Sequence, residues 1–381
     1  MQVLIIGNTE NRRVRFFVDE LDKKQLSYRV VAWKSFLDTP TIFDDLLQSP
    51  CFVKIESFGE NFDVFKSLLI WGENAIQGSG FKQIKSKDIA LLKPDMGRIH
   101  YSRQAYLGFE KALRYIEGKA SDQVSFLNSP QAILQMFDKS VSHELLGKAG
   151  IPKTRYYGHV TSYEALQSLI LHNKSKQLFI KLAHGSSASG VMAYRRSSSR
   201  ESLVTSVELV REGDEVKLYN SLRIRTYRQT DDIKCIIDHL AKENLLVERW
   251  EPKASFENGT FDLRLVVING KAEHAVMRCS RSPMTNLHLG NRRGDLQALK
   301  DKLGDDFWHR IEKLAIDTVQ QFSGAAVAGV DILITSGCRE AKVIEVNAFG
   351  DLIPNIVNIA GRSTYAEEVE LINTRLNVEA V

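Results

Sequence analysis

The sequence predicts an α/β protein that opens on a small open sheet of βαβ type and closes on antiparallel strands. Two observations carry this: a strand–helix–strand spacing over the first 33 residues, and a hairpin signal at Asn269-Gly270 between two alternating apolar runs. The length of 381 residues allows two or three domains with cores of their own.

Val3–Ile6 is a buried-strand run that ends in the polar loop Gly7–Asn11, followed by an amphipathic helix through Arg12–Lys24 and a second strand over Tyr28–Trp33. The first loop has no G-x-G-x-x-G pattern, which argues against dinucleotide binding there. Helices are expected around Phe62–Ile70 and Arg103–Glu117. Ser129-Pro130 pairs a cap with a first-turn proline and opens a helix that breaks, resumes and stops near Gly150. A helix near Ser162–Leu171 lies between two β-rich stretches. Leu178–Leu182 is a strand, Ala183–Gly190 a loop of small residues, and Val191–Arg195 the return strand. Lys217–Arg228 reads as a hairpin, Asp231–Glu243 as a helix and Leu245–Trp250 as an apolar strand. Phe261–Ile268 and Ala272–Met277 form the Asn269-Gly270 hairpin. Helix Asp305–Ser323 precedes strands Val327–Ile334 and Ala341–Val346, joined by the turn Thr335-Ser336-Gly337.

Composition excludes several classes. With 51 basic and 47 acidic residues the net charge is +4, which gives no reason to expect nucleic acid or an anionic membrane as partner. Cys51, Cys235, Cys279 and Cys338 are scattered and form no zinc or disulfide pattern. Met1 leads into an apolar run too short for a signal peptide, and no run could span a bilayer. A cytoplasmic protein is the expectation.

Three groups of residues carry chemistry. Glu345 and Asn347 are two apart on a strand and share a face, and a neighbouring strand can present Asp331 beside them. Asp331 is flanked by valine, isoleucine and leucine, where an acid is costly to bury without a cation. Three hard oxygen donors suit Mg²⁺ completed by nucleotide phosphates; the alternative is a structural carboxylate paired with Arg or Lys. Gly185, Ser186, Ser187, Ser189 and Gly190, just after Lys181, form a loop whose backbone N–H groups can turn to an anion, although it lacks the G-K-[ST] ending of a P-loop. Asp262 and Arg264 share a strand face, and Arg278 and Arg281 follow on the next strand of that hairpin. Guanidinium groups there suit phosphate or carboxylate oxygens. The plainer reading is a solvated hairpin, which fits Arg281 better than Arg264 or Arg278.

In this order the segments resemble the ATP-grasp superfamily, and within it the ligases that join glutamate to ribosomal protein S6. Asp138-Lys139 with Gly150-Ile151-Pro152 looks like the helix bearing the first ATP-binding lysine, and Phe179-Ile180-Lys181 with Gly185–Gly190 like the second lysine and lid loop. Asp262-Leu263-Arg264, Met277-Arg278 and Asn286-Leu287-His288 look like that family's D-I-R, M-R-R and N-L-H elements. Gly329–Leu333 and Glu345-Val346-Asn347 look like its metal strands.

The resemblance implies an ATP-grasp fold behind an N-terminal pre-ATP-grasp, Rossmann-like α/β domain (1–128). The grasp domain (129–381) would have a lid at about 151–245 and a catalytic subdomain at about 246–381. It implies Lys139 and Lys181 on ATP phosphates, and a hinge strand Val247–Trp250 reading adenine, with Glu248 near the amino group and Arg249 and Trp250 adjoining. It further implies Asp262 in the ATP site, Arg264 and Arg278 on the γ-phosphate and acyl phosphate, and Asp331, Glu345 and Asn347 on Mg²⁺ (or Mn²⁺). Arg281, Asn286 and His288 would be near substrate.

The implied activity is ATP-dependent ligation of a small-molecule or peptide carboxylate to an amine through an acyl phosphate. A kinase on the same fold and a catalytically silent nucleotide-binding protein are the alternatives. Oligomeric state stays open, a homodimer included. Four places depart from the family pattern or match nothing in it. Cys279 replaces a second arginine, Ala348–Pro354 differs from a short S-P-G run, and Lys54–Glu60 and Gly97–Arg103 match no characterised substrate element. Arg12, Arg13, Arg98, His100 and Arg103 are expected to be mostly solvated surface, with an acidic-substrate site as the alternative.

Overall fold

The computed structural model describes residues 2–198, 200–256, 259–349 and 353–378 and contains three sheets. The first is parallel, in the order β2-β1-β3-β4, built from β1 (Gln2–Gly7), β2 (Tyr28–Ala32), β3 (Cys51–Ile55) and β4 (Val124–Phe126). Its helices are α1 (Arg12–Lys23), α2 (Trp33–Asp38), α3 (Ile42–Leu46), α4 (Phe62–Ile76), α5 (Ser86–Ile89) and α6 (Ser102–Lys119). Asn11 and Asn61 cap α1 and α4 by accepting from Arg13 N and Val64 N. Helices α4 and α6 cross at glycine: a Cβ on Gly108 would lie 1.9 Å from Leu68 O, and one on Gly72 2.1 Å from Gln104 O.

Next come α7 (Pro130–Phe137) and α8 (Lys139–Lys148). Asp138 ends the first and caps the second, accepting from Ser140 N and Val141 N, which explains the break expected between Ser129 and Gly150. The second sheet has the order β5-β10-β6-β7-β8-β9 and is antiparallel: β5 (Tyr156–Val160), β6 (Gln177–Leu182), β7 (Met192–Arg196), β8 (Glu201–Glu212), β9 (Glu215–Tyr227) and β10 (Leu245–Arg249). Helices α9 (Tyr163–Asn173) and α10 (Thr230–Ala241) cover it. The hairpin expected at Lys217–Arg228 is instead one strand: β9 pairs with β8 on both sides of a register shift between Asn220 and Arg225, and the turn falls at Gly213, where φ is 59°.

The third sheet follows the order β14-β13-β12-β15-β16, with β11 (Ser255–Phe256) paired to β12. Its strands are β12 (Gly259–Ile268), β13 (Lys271–Ser280), β14 (Arg292–Arg293), β15 (Val327–Ile334) and β16 (Ala341–Asn347). Helices α11 (Leu296–Leu303) and α12 (Asp305–Val319) pack against it, and α13 (Thr364–Val378) closes the chain against α1 and β12. Asn269 and Gly270 both have positive φ, 49° and 75°, as a type I′ turn requires.

A strap from the first unit ties down the second sheet. Ile99 N donates to Leu218 O at 2.9 Å and Asn220 N to Gly97 O at 2.7 Å, so residues 97–99 lie along β9. Gly97 has φ 79°, and a Cβ there would lie 3.0 Å from Asn220 O. The buried Glu243 carboxylate, just after α10, accepts from Tyr101 N (2.7 Å), Ser102 N (2.8 Å) and Ser102 Oγ (3.1 Å), capping α6. Among the described residues no helix is long and apolar enough to cross a membrane.

Candidate active site

The register of the third sheet brings the expected charges onto one face. Asp262 pairs across from Arg278, Arg264 from Asp331, and Asp331 from Glu345, with Asn347 two residues further along β16. All line one cleft of about 300 Å³, whose opposite wall comes from β6, β10 and the loop after β6. The carboxylates are heavily engaged. Arg264 holds Asp331 through two N–H groups, the Nη2–Oδ2 contact being 2.9 Å, and Arg278 Nη2 reaches the same oxygen at 3.1 Å. Arg278 Nε donates to Asp262 at 2.7 Å. Burial opposes charge on Arg278 and Asp262, but each other's field, with Asp331 and Lys253 added, outweighs it. The guanidinium pKa is raised and the carboxyl pKa lowered.

Lys181 is buried, 2.8 Å from Glu248 and 3.2 Å from Ile344 O, so it spans from the second sheet to the third. Burial opposes its charge, but Glu248, then Glu345 and Asp331, raise its pKa. Glu248 also accepts from Thr154 Oγ1 at 2.8 Å and lies 3.0 Å from His143 Nε2. Its carboxylate is thus held by protein groups, and its nearest work is to hold Lys181 in place. Lys139, at the start of α8, reaches Gly185 O (2.6 Å) and Glu345 (3.3 Å).

The loop after β6 turns through consecutive left-handed residues Ser187 (φ 52°) and Ala188 (φ 59°) before Gly190 (φ 67°), a tight turn closed by Ser189 N donating to Ser186 O at 2.8 Å. His184 anchors its start. The imidazole stacks on Tyr106 at 3.8 Å between centroids and lies 2.8 Å from Asp138, whose carboxylate also pairs with Arg103 at 3.8 Å. Burial first, against the pull of Asp138, lowers the His184 pKa to about 4, so the ring is neutral; its Nε2 lies between Asp138 Oδ2 (2.8 Å) and Arg103 Nη1 (2.9 Å).

Of the expected residues, Gly185, Ser186, Ser187, Ser189, Arg249, Trp250, Asn286 and His288 also line the cleft. Gly190 sits in the same loop just behind it, against Leu182. Arg281 is exposed and outside the lining. Arg12 and Arg13 are not simple surface: both line the cleft, while Arg98 and His100 belong to the strap region and Arg103 to the His184 cluster. Gly350–Leu352, within the divergent Ala348–Pro354 segment, lie outside the described residues.

Sequence patterning does not mark Lys253, Thr285, His143 or Thr154, which the structure adds to the site. Lys253 Nζ lies 2.9 Å from Asp262 and 2.7 Å from Thr285, and burial lowers its pKa. Among the described residues no trio of His, Cys, Asp or Glu could hold a metal alone. Asp331, Glu345 and Asn347 form a donor set of two carboxylates and an amide on one face. That set fits Mg²⁺ when phosphate oxygens complete the shell.

Two antiparallel sheets closing on a cleft lined by lysine, arginine and carboxylate, behind a parallel α/β unit, define the ATP-grasp fold. Residues 222–359 match the family model of the RimK-like ATP-grasp domain. The fold is similar to that of D-cycloserine synthetase DcsG (10% identity over 99% of this chain and 100% of that one, TM-score 0.57). It is also similar to the ADP complex of purK, an N5-carboxyaminoimidazole ribonucleotide synthetase (12% identity, 97% and 76% covered, TM-score 0.57). A third similar structure is the D-alanine–D-alanine ligase of Bacillus anthracis complexed with ATP (13%, 99% and 98%, TM-score 0.50). At these identities the likeness is one of fold. No curated protein matches the sequence.

Proposed function

We propose that the protein is an ATP-dependent carboxylate–amine ligase that works through an acyl phosphate. The reading is carried by the convergence of Lys139, Lys181, Arg264, Arg278, Asp331 and Glu345 on one cleft between two sheets. A substrate carboxylate oxygen attacks the γ-phosphorus of ATP, the bond to the β–γ bridging oxygen breaks, and ADP leaves. An amine then attacks the acyl carbon and expels phosphate, losing its proton to solvent or a neighbouring base. Lys139, Lys181 and the 185–190 loop are assigned to the phosphates, and residues 247–250 to the adenine. Arg264 and Arg278 are assigned to the charge that develops on the transferred group. Asp331, Glu345 and Asn347 would hold Mg²⁺, which supplies neutralisation of phosphate oxygens. In support, Arg264 and Arg278 both stand against Asp331, on the face assigned to the metal and the transferred group.

The test is product analysis by mass spectrometry after incubation with Mg-ATP and panels of carboxylates and amines. ADP, phosphate and an amide are expected; a phosphoester would identify a kinase instead, and nucleotide binding without ADP release would identify a silent protein.

A further inference from the structure

The first sheet has a topological switch point between β1 and β3, because the chain leaves β1 toward β2 and returns to the other side at β3. In open α/β sheets the crevice outside the carboxyl ends of such a strand pair is where ligands bind. Here both flanking loops reach the cleft: Arg12 and Arg13 follow β1, and Ser57, Gly59 and Glu60 follow β3. The loops are stitched together. Asn8 Nδ2 donates to Phe58 O (3.1 Å) and Gly59 O (3.0 Å), and Asn11 Nδ2 to Glu60 Oε2 (3.0 Å). That leaves a preformed crevice whose lining acid, Glu60, accepts from Asn11, while Glu10 and Glu56 of the same loops are held by Asn61 and Lys54; the side chains of Arg12 and Arg13 have no hydrogen-bond or ion-pair partner among the described residues. Arg293 lines the cleft from the third sheet, 2.9 Å from Pro354 O, and Ile353 packs in the same apolar cluster as Val14 and Phe17 of α1.

We infer that this crevice is a second anion-binding subsite, which takes a carboxylate or phosphate on the substrate other than the carboxylate that is activated. The inference rests on the ligase reading for what lies in the rest of the cleft. Cations on two walls suit an anion held at a fixed offset from the phosphoryl acceptor, and the amino end of α1 adds to the positive potential there. The absence of a glycine-rich fingerprint after β1 leaves side chains, rather than bare backbone, to do the recognition.

The full chain, with and without saturating Mg²⁺ and a non-hydrolysable ATP analogue, is titrated by calorimetry with butyrate, glutarate and 4-phosphonobutyrate. One of the two dianions is expected to bind about tenfold or more tightly than butyrate, and which one does so identifies the anion. Arg12→Ala/Arg13→Ala should erase that preference and Arg12→Lys/Arg13→Lys restore part of it, with affinity for the ATP analogue kept to within about twofold. Equal binding of the three acids, no dianion binding, or a preference that survives the alanine pair overturns the subsite. Failure of the ATP analogue to bind the unaltered protein would sink the ligase reading separately, and the titration without nucleotide still decides the subsite.

Discussion

At the scale of residues, the cleft is a lattice of buried opposite charges, and its members differ in what their removal costs. Glu345 is a quarter exposed on its side chain, whereas Asp331 is buried under two guanidinium groups. Glu345→Ala should therefore leave thermal stability nearly unchanged while removing the Mg²⁺ dependence of ATP-analogue binding, read by calorimetry. Asp331→Ala should also lose it but cost about 3–5 kcal/mol in urea unfolding, because Arg264 and Arg278 lose their shared counter-ion. Unchanged Mg²⁺ dependence in both variants would reject the metal assignment.

The neutral His184 makes a pH prediction. Its pKa in the fold, about 4, lies below the ordinary 6.5, so the unfolded chain binds more protons between those values and stability falls as pH drops through them. The loss should be on the order of 1–3 kcal/mol between about pH 6.5 and pH 4, and His184→Gln should flatten that part of the profile. His100, lowered to about 4 chiefly by burial, adds in the same direction.

Part of the site is legible in the sequence. Asp262, Arg264, Asp331, Glu345 and Asn347 stand out because charged or amide side chains inside apolar strands, two of the pairs at period two, have few innocent explanations. Lys253 does not, since nothing local marks a lysine after Glu-Pro as buried. Its partners, Asp262 and Thr285, lie 9 and 32 residues away, and only the sheet register brings them together.

At the scale of elements, helix α6 offers an internal comparison. Gly108 lets α6 approach α4 to backbone contact, so Gly108→Ala must push the helices apart and should cost more than about 3 kcal/mol in denaturant unfolding. Gly118, in the same helix, has open space where a methyl group would stand, with no atom within 4 Å, and Gly118→Ala should be neutral or stabilise by up to about 1 kcal/mol. Equal effects at the two sites would show that the helices cross with room to spare. Elements with a cap or a turn signal are readable to within a residue or two, as with Ser129 and Asn269-Gly270. Strand β9 is not, because its polar middle, Asn220-Ser221, resembles a turn. Its pairing with β8 shifts register just there, between Asn220 and Arg225, and residues 218–220 are held from the other side by the strap, which is distant in sequence.

At the scale of the molecule, the proposed nucleotide would be linked to the stability of the fold. A ligand that binds only the folded state at a hundred times its Kd adds about 2.7 kcal/mol, so a saturating Mg²⁺–ATP analogue should raise the thermal midpoint clearly and EDTA should reduce the gain. No shift in the midpoint would contradict nucleotide binding in the cleft.

The backbone pairing of residues 97–99 with β9, together with the Glu243 carboxylate on the start of α6, reaches further than local stability. In a two-jawed clamp the upper jaw can usually swing alone. Here it is pinned at its far edge to the lobe that offers Arg12 and Arg13, so any wide gape must either break those bonds or carry that lobe along. If the cleft takes nucleotide and the Arg12–Arg13 crevice a second substrate, as proposed, admitting the one and handling the other would be a single mechanical event, paced by a fastening well away from the reacting atoms.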